Sequence, residues 1–264
     1  MFKKMPILMR SIWGGAGVVL AALFLSVMAP ALVRAQETTE KKTVSEHIKE
    51  YWDKLIAKTE ATSKAAGEEY HKLRKQAAEA SGPAREKLAA EMEVLSKKWA
   101  AAREKLAASV ELHMNELGDE YHKLKEEAGK ASGSAKEKMD EQLEKLHGQW
   151  TTARAKMEAT LSSNLKSSHE EFEHLKEHLS ASSESAKAKM GPHLDRLKAE
   201  YHENREKLTN YLEADLEQTK KDMEKLSEAT SAKAHEAKEA MTKKYHELTA
   251  KIKELKEKAS EPKE

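Results

Sequence analysis

Residues 121–172 read YHKLKEEAGKASGSAKEKMDEQLEKLHGQWTTARAKMEATLSSNLKSSHEEF, and the spacing of the apolar side chains in this stretch decides the fold. They fall at Tyr121, Leu124, Ala128, Ala131, Ala135, Met139, Leu143, Leu146, Trp150, Ala153, Met157, Leu161, Leu165 and Phe172, with Ser168 keeping the phase. Every step is three or four residues, the signature of one face of an α-helix. Fourteen steps in 51 residues give about 3.64 residues per turn, between the 3.6 of an ideal helix and the 3.67 of an 11-residue repeat. The spacing therefore predicts nearly straight helices with weak right-handed coiling.

The stretch is one copy of a tandem repeat, a feature to be sought before any other. Glu69-Tyr70-His71-Lys72-Leu73 returns 51 residues later as Glu120-Tyr121-His122-Lys123-Leu124. Ser81-Gly82-Pro83-Ala84 returns as Ser132-Gly133-Ser134-Ala135 and again as Ser183-Glu184-Ser185-Ala186. Trp99, Trp150 and Tyr201 keep the same interval, as do Leu55, Leu106, Met157 and Leu208. The stripe starts at Val44, Ile48 and Tyr51 and continues in phase to Leu248, Ile252, Leu255 and Ala259. One uninterrupted helix over 44–259 would reach roughly 320 Å. With about one apolar residue per turn, the stripe suits a two-stranded seam. The expected fold is all-α: long amphipathic helices in an extended coiled coil. Pro83 and Pro192 are the prolines inside the stripe, each after glycine. At Gly82-Pro83 and Gly191-Pro192 the helix either kinks or folds back. Because the other copies lack proline there, a turn at those points is not expected to belong to the repeat.

Composition agrees. Charged residues make up 35% and aromatic ones 5%, a balance that favours a narrow seam over a thick core. Cysteine is absent, which excludes disulfides, thiolate metal sites and cysteine nucleophiles. Residues 1–35 read as a signal peptide: Lys3, Lys4 and Arg10 precede an apolar run from Ile12 to Met28, and Val33-Arg34-Ala35 offers a cleavage site. The alternative is a membrane anchor formed by residues 12–33. A polar linker at 36–43, the repeat region at 44–259 and a frayed tail at 260–264 complete the expected organisation. From Gln36 onward the chain holds 43 basic and 46 acidic residues with the signs interspersed, so no nucleic-acid partner is expected.

No phosphate loop, nucleophile elbow, kinase set or dinucleotide fingerprint occurs. His174 and His178, four residues apart, put two imidazoles on one helix face near His169, Glu170, Glu171 and Glu177. A catalytic zinc needs three protein ligands in an enclosed site, and this pair is expected on an exposed face. The Tyr-His pairs (Tyr70-His71, Tyr121-His122, Tyr201-His202 and Tyr245-His246) are expected to place tyrosine in the seam and histidine outward. Trp99 and Trp150 read as seam knobs, and carboxylates as i, i+4 partners of lysine. The sequence thus nominates no catalytic, cofactor-binding or metal-binding residue, and no cofactor.

Ser134-Ala135-Lys136-Glu137-Lys138-Met139-Asp140-Glu141 and Ala232-Lys233-Ala234-His235-Glu236-Ala237-Lys238-Glu239 resemble two families. One is the late-embryogenesis-abundant proteins with 11-residue Ala-Lys-Glu repeats; the other is the exchangeable apolipoproteins, with proline-punctuated amphipathic repeats. The 51-residue unit, the irregular proline spacing and the heavy Trp, Met and Tyr content depart from both. Neither resemblance implies a catalytic residue. Together these readings predict a non-catalytic, exported protein, periplasmic or secreted. It is expected to self-associate, or to bind another helical protein, through its stripe. The first alternative is an apolipoprotein-like binder of lipid or membrane surfaces; the second is a stress or desiccation protectant.

Overall fold

The computed structural model describes residues 44–180, 184–226 and 232–260. All described elements are helical: α1 Val44–Glu79, α2 Gly82–Ala128, α3 Gly133–Ser180, α4 Glu184–Leu226 and α5 Ala232–Ser260. The all-α class is therefore as expected. The proposed signal or anchor at 1–35, the linker at 36–43 and the tail beyond Ser260 lie outside the described residues. None of the described helices is long and apolar enough to cross a membrane.

The chain divides into two compact units, Met1–Tyr51 and Trp52–Glu264. In the first, the described part is the opening of α1. In the second, consecutive helices pack antiparallel. Gly67 on α1 lies against Trp99 on α2, and Trp52, earlier on α1, donates its indole N–H to Glu116, later on α2. The same reversal pairs Ser96 with Glu171 and Gly118 with Trp150 between α2 and α3. Each helix also reaches the next but one. Glu60 on α1 accepts from Lys156 on α3 at 3.0 Å, Glu200 on α4 from Arg103 on α2 at 2.5 Å, and Glu158 on α3 from Lys251 on α5 at 2.5 Å.

The extended coiled coil is therefore corrected. The stripe does not run as one long seam; the chain folds back and buries it against itself. Ile56 of α1, Val110, Met114 and Leu117 of α2, Met157 and Leu161 of α3, Leu208 and Leu212 of α4, and Leu248 and Ile252 of α5 share one core. Smaller clusters join Tyr70 and Ala77 to Met92 and Trp99, and Leu175 and Leu179 to Leu197.

The turns have a local cause. Helix α1 ends at Glu79, Ser81 is extended (φ −134°, ψ 159°), and Gly82, at φ +57°, opens α2 with Pro83 next in its first turn. After α2, Gly129, Lys130 and Ala131 donate to the carbonyls of Lys125, Glu127 and Ala128, and Gly133 takes φ +61°. An L side chain at such a φ costs about 1–2 kcal/mol, so glycine belongs at both sites. Gly82, Gly133 and Glu184 open successive helices and stand 51 residues apart. The turn is thus part of the repeat after all, and one repeat is one helix with its turn. Fold-back occurs at Gly82-Pro83 but not at Gly191-Pro192, where α4 continues through Pro192. An interior proline costs about 3 kcal/mol. Met190, Leu194 and Leu197 pack on Leu175 and Leu179 from both sides of it, and each buried leucine returns about 1.5–3 kcal/mol.

Candidate functional site

The buried face of each helix is wider than the apolar stripe, and its second half is polar. On α3, Thr160, Asn164 and Glu171 are buried beside Met157, Leu161, Ser168 and Leu175. On α2, Ser96, Arg103 and Ser109 join the core.

These groups converge in an ionic network across α2, α3 and α4. The Arg103 guanidinium, 4% exposed, donates to Glu171 Oε1 at 2.7 Å and to Glu200 Oε1 at 2.5 Å. Ser96 donates to Glu171 Oε2 at 2.6 Å, and Arg196 donates to Ser96 Oγ at 2.8 Å and to Glu200 Oε2 at 3.0 Å. Two arginines thus balance two carboxylates, which burial requires. Asn164 reaches the Arg103 carbonyl at 3.5 Å, and Asn204 donates to Ser168 at 3.2 Å. Burial pushes the Glu171 carboxyl above the usual range, opposed by the Arg103 charge and its hydrogen bonds. Burial beside Glu171 likewise raises the Tyr70 phenol, against the pull of Arg74, Arg103 and Arg196.

A related station recurs one repeat later. Arg154 pairs with Asp215 on α4, which also accepts from Lys244 on α5 at 2.9 Å. Tyr211 donates to the Arg154 carbonyl at 2.8 Å. Burial pushes the Tyr211 phenol up to about 12, and burial with the Arg154 charge holds Lys244 down to about 8. The arginines sit over repeat-equivalent rings: Arg103 over Trp99 at 4.3 Å, Arg154 over Trp150 at 5.3 Å and Arg205 over Tyr201 at 5.6 Å. Glycine makes room for the larger rings. A Cβ at Gly67 would lie 2.9 Å from Trp99, and one at Gly118 would lie 3.3 Å from Trp150.

The histidines differ from expectation. His71 packs on Trp99 at 5.4 Å between ring centres, and His122 packs on Trp150 at 5.9 Å, so neither simply points outward. His174 and His178 are half-buried rather than on an open face, with ring centres 6.4 Å apart. His169 lies elsewhere, against Tyr201 at 5.0 Å. Glu177 faces His174 and Glu170 faces His71, whereas Glu171 points into the ionic network. No group of three or more His, Asp or Glu side chains among the described residues could hold a metal ion.

The lysine–carboxylate reading holds on the outer faces, for example Lys64 with Glu68 and Lys97 with Glu93, but fails at Glu171. The signal that could have found Arg103 and Glu171 was positional. Arg103 lies one residue after the stripe position Ala102 and Glu171 one residue before Phe172, and arginine recurs at 103, 154 and 205. Comparison with protein-family models, curated proteins and solved structures gave no match to this chain.

Proposed function

We propose that this chain is a non-catalytic, exported structural element, a spacer or scaffold built from a self-contained helical array. The observation that carries the reading is where the apolar stripe goes. It is filled from within the chain, and Val94, 55% exposed, is the exposed large apolar side chain among the described residues. Buried polar groups of three helices are joined by the Arg103–Glu171, Arg103–Glu200 and Arg196–Ser96 hydrogen bonds, as expected of groups that fix which helices pair and in what register. Arg103, Glu171, Glu200 and Arg196 are engaged as ion pairs, an arrangement suited to holding helices together.

A partner, whether a second copy or another helical protein, would then meet the charged outer surface, since the stripe is occupied. The apolipoprotein-like alternative requires the array to open and lay Arg103, Glu171 and Asp215 against lipid, at a high desolvation cost. Light scattering across a concentration series, with circular dichroism and anionic vesicles added to matched samples, tests the reading. The proposal expects a helical species of constant mass whose helicity does not respond to vesicles. Low helicity that rises on vesicle binding would replace it with the lipid reading, and low helicity that rises only on drying would replace it with the protectant one.

A further inference from the structure

Helix α5 buries the least of any described helix. Leu248 and Ile252 are its buried side chains among those described, with Leu255 half-buried beside them. Helix α3, by contrast, buries Leu146, Ala153, Met157, Leu161, Leu175 and Leu179 together with its polar residues. Elements with little buried apolar surface open at the lowest free energy.

What α5 adds is charge. Lys244 meets Asp215 of α4 at 2.9 Å, Lys251 meets Glu158 of α3 at 2.5 Å, and Lys256 meets Glu213 of α4 at 2.6 Å. Asp215 also pairs with Arg154 of α3. The α3–α4 groove thus presents three carboxylates, and α5 presents three lysines in matching register around Leu248 and Ile252. Arg205 of α4 closes the far end by donating to the Lys258 carbonyl at 3.1 Å. The whole helix follows the same sign: α5 holds eight lysines and five glutamates, whereas the chain from Gln36 onward holds 43 basic and 46 acidic residues. The Lys251 and Lys256 side chains are 53% and 61% exposed, so these pairs set register more than strength. Helices α2, α3 and α4 are held differently, by the buried pairs of Arg103 with Glu171 and Glu200.

We propose that α5 is an exchangeable helix: the acid-lined α3–α4 groove of one copy accepts α5 of a second copy, and reciprocal exchange joins two arrays. Every contact that seats α5 in its own chain is remade between chains, so no packing is lost. The covalent tether favours the home groove, which sees its own α5 at an effective concentration on the order of millimolar. Dilute solutions therefore keep the mass of one chain, and joining sets in where copies are crowded. The exchange goes beyond the scaffold reading, since it depends on the α3–α4–α5 contacts and not on the use to which an array is put.

Charge reversal makes the test selective. One variant of the full chain carries K251E/K256E, so its α5 is repelled by its own groove. A second carries E158K/E213K and is mismatched in the same way. Both keep the Lys244–Asp215 pair and the apolar seat. Mixed, each variant finds in the other a groove of matching sign. Light scattering is expected to give the mass of one chain for each variant alone. The equimolar mixture is expected to reach the mass of two at the same total concentration. Circular dichroism is recorded on each variant by itself. Should either lose helicity, the parent chain decides. A labelled peptide of residues 232–260, titrated into it to about millimolar concentration, is expected to bind saturably, and a peptide carrying K251E/K256E about tenfold more weakly. Helical variants whose mixture stays at the mass of one chain would overturn the exchange. So would variants that pair with themselves as readily as with each other, or a parent chain that ignores the first peptide or binds the two alike.

Discussion

Glu171 shows how a single buried charge organises its surroundings. At 1% exposure it has exchanged water for Arg103 and Ser96, and its removal leaves Arg103 with Glu200 as its one carboxylate partner. Glu171→Ala is expected to cost about 3–5 kcal/mol, because it leaves two arginines, one of them buried, sharing the single carboxylate of Glu200. Pairing Arg103→Leu with Glu171→Leu removes both charges and should recover most of that loss. Guanidinium unfolding followed by circular dichroism measures both; equal losses in the single and paired variants would refute the assignment. The glycines give a second ranking at the same scale. A Cβ at Gly148 would meet nothing within 4 Å, so Gly148→Ala should add about 0.5–1 kcal/mol from helix propensity alone. Gly118→Ala gains the same propensity but presses on Trp150, and should be near neutral. Gly67→Ala meets the Trp99 ring at 2.9 Å and should lose about 1–2 kcal/mol. Midpoints that do not follow the order 148, 118, 67 would contradict the packing described.

Whole elements are held by what lies at their ends and on their faces. Gly133 at φ +61° starts α3, and Gly133→Ala should destabilise by about 1 kcal/mol. Pro192 sits inside α4, where its cost is offset by leucine packing, so Pro192→Ala should stabilise by about 2–3 kcal/mol. Thermal melts of the two variants should move in opposite directions, and a shared sign would be inconsistent with these roles. Helix existence and the apolar half of each buried face were legible in the sequence, since a 3.64-residue period over Tyr121–Phe172 has no other reading. The turns were marked less plainly. Ser-Gly recurs at 81–82 and 132–133, where α2 and α3 begin, yet the in-phase stripe argued for continuity. An antiparallel hairpin keeps that phase equally well, because both arms face the same seam. The polar half was hidden for a related reason. Arginine, glutamate and asparagine read as solvated when a helix is assumed to have one neighbour, and here each has more than one.

At the scale of the molecule, the unit Trp52–Glu264 is a repeat array whose module is a single helix. Consecutive modules reverse direction, so equivalent residues meet different partners. Position 103 and its equivalent 154 are both arginine, and each pairs with acid on a later helix. An array of this kind is stabilised by neighbour contacts, and its ends differ from its middle. That logic supports a role in spacing or scaffolding. The first described helix contributes none of the buried charges Arg103, Glu171 and Asp215. The central claim is that the chain folds back on itself between α2 and α3. Single-molecule energy transfer between dyes on cysteines introduced at Lys105 and Lys166 tests it most directly, because each molecule is read alone. Those positions are 61 residues apart, about 92 Å along a continuous helix. The account predicts high transfer from a separation below about 35 Å, the spacing of two packed helices with their side chains and dyes. Transfer near zero would contradict the fold-back and restore the extended coil.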